Sequence, residues 1–212
     1  MLQRLDELER DALAELGNIG VGKASTALSR MVGGTVLVSV PNVEIVPGDR
    51  LVAALEQALP GPLVAVSECL SGTFRGSAIL LLPERSSLPL ASAALPPDVP
   101  KEDAQELEAE ALAEVGNIVL NSCLSLMANL LGTGIGTTLP SILRGPVARV
   151  LEGCGVETGA ETSAILFQVT FRLESQDPAG AIVGGEIVLA LDAESSAELK
   201  AIIGRYIGRI LN

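Results

Sequence analysis

The chain of 212 residues contains no histidine and no tryptophan, one tyrosine and three phenylalanines. Without histidine there is no Ser-His or Cys-His nucleophile pair, no imidazole metal ligand and no phosphohistidine. Chemistry must fall to carboxylates, carboxamides, hydroxyls, lysine or groups that a partner brings. With 48% apolar residues but almost no aromatic bulk, the core must be aliphatic. Positive charge is also scarce: 14 Lys and Arg stand against 26 Asp and Glu, a formal net charge of −12. That balance opposes binding to a nucleic-acid backbone or an anionic membrane. No run of 18 or more uncharged apolar residues occurs, and the N-terminus is acidic and amphipathic rather than signal-like. The expectation is a cytoplasmic protein with no membrane span. Cys69, Cys123 and Cys154 are far apart and none sits in a Cys-x-x-Cys spacing, so no metal site is expected and all three read as buried small hydrophobes.

What the chain does have is a repeat. Asp11, Glu15 and Asn18 recur as Glu110, Glu114 and Asn117, 99 positions on, with the apolar residues between them. The same offset pairs Gly33 with Gly132 and Pro41 with Pro140, and an offset of 109 pairs residues 76–87 with 185–196. The extra residues fit a longer turn around 175–180. At 100° per residue, Leu5, Ala12, Leu13, Leu16, Ile19, Ala24, Ala27 and Met31 form one core-facing arc of a helix over 3–32. Asp11, Glu15 and Asn18 gather on the opposite side, and Gly22 and Ser29 continue that line. Gly17, Gly20 and Gly22 each lower helicity by roughly 1 kcal/mol relative to alanine, which implies close packing or the close approach of a partner.

Apolar, β-branched runs follow at 35–40 and 43–46, flanking Pro41 and Asn42, then at 63–70 and 75–82 as a hairpin. Residues 84–95 read as a short helix in which Pro89 disturbs start or continuity, and 96–100 as a linker stiffened by three prolines. A second long helix spans 102–131, stretches 145–151, 163–173 and 181–191 read as extended, and 193–211 form a closing helix. The fold class is therefore α+β. Each half, about 1–98 and 99–212, is a long motif-bearing helix plus antiparallel strands and a shorter helix. The two halves form one pseudo-twofold body, because separate halves would leave sheet edges open.

Residues 17–24 nearly spell a phosphate-binding P-loop, but Ala24 stands where a hydroxyl should ligate magnesium. The segment lies inside a helical pattern, and the second copy keeps neither the second glycine nor the lysine. Gly132, Gly134 and Gly136 read as a helix stop and strand entry rather than a dinucleotide loop. For Glu15 and Asn18 the plain reading is a solvated helix face. Asparagine is a poor helix former, so two of them at mid-helix need a cause, and capping a neighbouring loop in each half is one.

The pattern [Asp/Ser]-x3-Glu-x2-Asn, followed after 22 residues by proline, resembles the motif of the CheC family of chemotaxis phosphatases. It stands here as Asp11, Glu15, Asn18 and Pro41, and as Glu110, Glu114, Asn117 and Pro140. Two copies fit a CheC-type protein better than a CheX-type one, which typically keeps a single motif. Glu110 departs from the pattern, and Asn121 replaces Gly22 on the exposed line. The resemblance implies hydrolysis of the aspartyl phosphate of the response regulator CheY, with CheD as a further partner. Glu15, Asn18, Glu114 and Asn117 are the implied catalytic residues, with Asp11, Glu110, Gly22, Pro41 and Pro140 supporting them. An acyl phosphate is already activated, so a carboxamide that orients water suffices, while the regulator supplies magnesium and a lysine; no cofactor of the chain's own is expected. The first motif, with Glu15 and Asn18, is the leading candidate. The reading from a different class is a non-catalytic adaptor or flagellar-switch component that grips the regulator without hydrolysing it.

Overall fold

In the computed structural model, which describes residues 7–95, 99, 107–132, 134–159, 162–174 and 181–210, the first helical pattern becomes α1 (Glu7–Val32) and the second α4 (Glu108–Leu131). Residues 3–6 and 102–106 of the two expected helices, most of the 96–100 linker and the 175–180 turn lie outside the described residues. The buried face of α1 is Leu13, Leu16, Gly17, Gly20, Val21, Ala24 and Leu28. Ile19, expected in the core, is 42% exposed. The helix is rotated so that its glycines face inward, which carries Ile19 to the rim beside Asn18. A Cβ at Gly17 would stand 3.2 Å from Phe167, and one at Gly20 would stand 3.0 Å from the Cα of Cys123 on α4. Gly116, the counterpart of Gly17, lies against Val66 so closely that a Cβ would overlap its side chain. Both long helices end at a left-handed glycine, Gly33 (φ 64°) and Gly132 (φ 61°), as the sequence suggests.

Beneath the helices lies one antiparallel sheet built from β1 (Thr35–Pro47), β2 (Leu63–Gly72), β3 (Gly76–Pro83), β4 (Ile135–Thr137), β5 (Ser141–Gly145), β6 (Ser163–Glu174) and β7 (Ala181–Leu191). The strand order is β1-β6-β7-β3-β2, with β4 and β5 lying end to end along the free edge of β2. Residues 35–47 form one strand rather than two, with a register shift between Ser39 and Asn42. The break between β4 and β5 falls at the same place under the 99-residue offset. Matching β1 with β4 and β5, β2 with β6, and β3 with β7, the order reads alike from either edge.

The helices α1, α4, α3 (Glu84–Ala94) and α6 (Ala193–Ile210) cover one face over the larger core cluster, which includes Val36, Val64, Leu80, Phe167 and Leu189. Pro89 lies inside α3 without ending it. The other face is covered by α2 (Gly48–Ala58) and α5 (Val147–Gly153), neither of which the sequence reading anticipated. Residues 145–151, expected to be extended, instead turn into α5. Their valines favour strand by propensity, but Val147, Val150 and Leu151 recur at helical spacing and fill the second core cluster with Leu51 and Leu55. Over Glu108–Asn129 α4 has a mean hydropathy of 1.4, long and apolar enough to cross a membrane by length and composition. Half of that stretch is buried within the fold, as the central helix of an aliphatic core must be.

Candidate functional site

The two motifs lie on helices that touch through Gly20 and Cys123, yet they face opposite edges of the sheet. Asp11, Glu15 and Asn18 are exposed on α1, as are Glu110 and Glu114 on α4. Among the described residues neither Glu15 nor Glu114 has a hydrogen-bond or ion-pair partner. Each carboxylate is therefore available to an incoming cation, one helical turn from its asparagine.

The asparagines differ. Asn18 Oδ1 accepts from the backbone N–H of Val40 at 2.9 Å, and its Nδ2 donates to the carbonyls of Val40 and Ala14, both at 3.1 Å. Its two amide hydrogens are thus both engaged. Asn18 begins a ladder: the N–H of Val38 donates to Ser25 Oγ at 2.8 Å, and that of Val36 to Ser29 Oγ at 2.9 Å. Ser29 also donates back to the carbonyl of Val36 at 3.2 Å, whereas the Ser25 hydroxyl lies nearer the Val21 carbonyl of its own helix, at 3.0 Å, than that of Val38, at 3.4 Å. Alternate residues of β1 thereby satisfy their outward backbone groups on α1, and the free edge of the sheet is closed by side chains. Asn18 is in this respect a strand cap, the alternative that its mid-helix position allows. Pro41 follows directly, exposed at the bulge. Gly22 is exposed, and a Cβ there would meet nothing within 4 Å, so its absence of side chain is not explained by packing.

Among the described residues the second motif has no such ladder. Position 139, which matches Val40, is Leu139, 89% exposed at the break between β4 and β5. Asn117 is half-buried; its Oδ1 accepts from Asn121 Nδ2 at 2.6 Å, and its own amide hydrogens have no acceptor among the described residues. Asn121 also donates to Glu68 Oε1 at 3.4 Å and accepts from the Thr137 hydroxyl at 3.4 Å. Pro140 is half-buried in the break nearby. Glu68 escaped the sequence reading. It is fully buried on β2, its Oε2 has no partner, and burial pushes its carboxyl up against the lowering effect of Thr137 and Asn121. The signal was a lone charge in a strand that from Leu63 to Leu70 is otherwise apolar or small and is buried on both faces along most of its length.

The cysteines do not behave alike. Cys154 is buried and Cys123 half-buried, with burial pushing the Cys123 thiol up to about 12, whereas Cys69 is exposed. Among the described residues no group of three or more Cys, Asp or Glu is placed to hold a metal ion.

A family model described as the CheC-like family matches residues 8–45, which hold the first motif, the ladder and the bulge. In sequence the chain is 28% identical over 140 residues to the flagellar motor switch phosphatase FliY of Bacillus subtilis, covering 65% of this chain and 36% of that protein. It is 26% identical over 141 residues to the CheY-P phosphatase CheC of the same organism, covering 65% of this chain and 67% of that one. The chain thus spans only about a third of FliY's length. Its fold matches that of Thermotoga maritima FliY with a TM-score of 0.74 at 20% identity, covering 97% of this chain and 99% of that one. The resemblance carried by the two motifs therefore holds: by family model, by sequence and by fold, this chain is similar to the CheC/CheX/FliY family.

Proposed function

We propose that the chain is a phosphatase for the aspartyl phosphate of a CheY-type response regulator, acting in the cytoplasm from two structural repeats, about 1–98 and 99–212, that share one sheet. The observation that carries this reading is the outward presentation of both Glu-x-x-Asn faces, with Glu15 and Glu114 exposed and unpaired. Names of the similar proteins support it: one is a CheY-P phosphatase and another a flagellar motor switch phosphatase. In this reading the regulator brings its own magnesium and lysine. Glu15 or Glu114 pairs with the lysine and fixes the helix in register, and the neighbouring carboxamide orients water in line with the phosphorus. A water-orienting asparagine needs a donor and an acceptor to spare. Asn117 has free amide hydrogens, whereas Asn18 must first release Val40. We therefore assign the larger share of turnover to the second motif, the reverse of what the sequence favours.

A second reading, grip without hydrolysis, is favoured at the first site by the full occupancy of the Asn18 amide. Loss of phosphate from the phosphorylated regulator, followed with wild type, Asn18→Ala, Asn117→Ala and the double variant, tests both. The expected order is a larger loss for Asn117→Ala and near-complete loss for the double variant. Unchanged hydrolysis in the double variant sinks the catalytic reading. Binding without acceleration by the wild type establishes the adaptor.

A further inference from the structure

Glu68 occupies a position with a counterpart in the other half. It lies on β2 opposite the break between β4 and β5, with Ser67 paired to Ser141 and Thr138 bonded to Cys69. On β6 the residue opposite the β1 bulge, between Gln168 and Thr170, is Val169. Both are fully buried, and one is apolar and the other acidic. The motif helices differ in step: the position that is Gly22 on α1, with open space around it, is Asn121 on α4, bonded to the glutamate. A buried carboxylate with an unpartnered oxygen is destabilising, and two coordinated departures from the other half point to a use for it.

The hydrogen bonds say what the use is. The carboxylate oxygen of Glu68 offers Asn121 an acceptor, so the Asn121 amide group turns inward. Its second amide hydrogen then meets Asn117 Oδ1, and its own oxygen takes the Thr137 hydroxyl. Asn117 is left with its oxygen held and its amide hydrogens directed away. We infer that Glu68, acting through Asn121, is a positioning residue that sets the orientation of the Asn117 carboxamide. This deepens the proposed function, since Asn117 is the water-orienting group of that reading, but the orientation itself stands on the hydrogen bonds alone.

The test uses Glu68→Val, which copies Val169, and Asn121→Gly, which copies Gly22, singly and together. In a 15N–1H spectrum of the full chain, the Asn117 side-chain amide is expected to shift and broaden in each single variant, while that of Asn18 stays in place. Glu68→Val should add nothing further once Asn121 is glycine, because the relay is already cut. In an Asn18→Ala background, kcat for loss of phosphate from the phosphorylated regulator should fall by roughly tenfold to a hundredfold with KM unchanged. An unmoved Asn117 amide in Asn121→Gly overturns the inference, even if Glu68→Val fails to fold. So does an additive effect in the double variant. If the amide responds as expected but Asn117→Ala in the Asn18→Ala background leaves hydrolysis intact, the positioning stands and the catalytic reading of the two asparagines falls.

Discussion

Glu186 lies on β7 on the sheet face shared with Val188, 6% exposed, and its carboxyl is pushed from 4.5 to about 7 by burial first and by nearby Glu44 second. A displacement of about 2.5 pH units corresponds to roughly 3.4 kcal/mol between the two protonation states. The folded value lies above the unfolded one. The stability Glu186 lends is therefore complete below 4.5 and lost as pH rises through about 7. Between about pH 5.5 and about pH 8.5 the loss comes to roughly 2 kcal/mol. Glu186→Gln keeps the shape and removes the ionisation, so its stability should not share this fall. Urea unfolding of both proteins across that window gives the difference, in which titrating groups not coupled to Glu186, Glu68 among them, cancel. The variant should gain about 2 kcal/mol on the wild type from one end to the other, or about 4–8 °C in Tm. Curves that run parallel would refute the reasoning, because they would mean that Glu186 is ionised at no cost throughout.

Three further outcomes are expected. Asn18→Ala should cost about 1–2 kcal/mol in chemical unfolding, because it strips Val40 of both backbone partners, while Asn117→Ala, which caps no strand, should cost less. Gly116→Ala should destabilise by about 1–3 kcal/mol through overlap with Val66, whereas Gly22→Ala, with open space around it, should stabilise by up to about 1 kcal/mol; thermal scans of the two report the contrast. A soluble thiol reagent should modify Cys69 in the native protein and reach Cys154 only on unfolding, which mass analysis of the labelled sites would show.

The long helices, their glycine stops and most strands were legible in the sequence because period and punctuation agreed there. The polar stripe was legible too: Glu15 and Asn18 stand exposed on one face of α1, as helical spacing requires. α2 and α5 were missed although Pro47 and Arg50 repeat as Pro146 and Arg149 at the same offset. In α5 strand propensity and helical spacing disagreed, and tertiary packing on the sheet decided for the helix. Ile19 was misplaced because a periodicity count gives glycine no weight, while here Gly17 and Gly20 define the contact line. The inequivalence of the two asparagines was hardly legible. It rests on whether the backbone at positions 40 and 139 turns toward the helix or away, and no local rule decides that. Glu68 needed only the question of which way a lone charge in an apolar strand must point.

The strand order also bears on how the chain is made. Among the described residues the only strand partner of β1 is β6, paired from Pro47 with Ser163 to Thr35 with Glu174. During synthesis β1 leaves the ribosome long before its partner exists. Pairings this distant in sequence are slow to close, and unpaired strands invite association with other chains. The serines and asparagine of α1 are by contrast available at once, between 7 and 22 residues upstream, and they satisfy one edge of β1 locally. The ladder that closes the finished sheet thus also shields a nascent strand while it waits, and the second half, whose β4 and β5 find β2 already made, has no need of one.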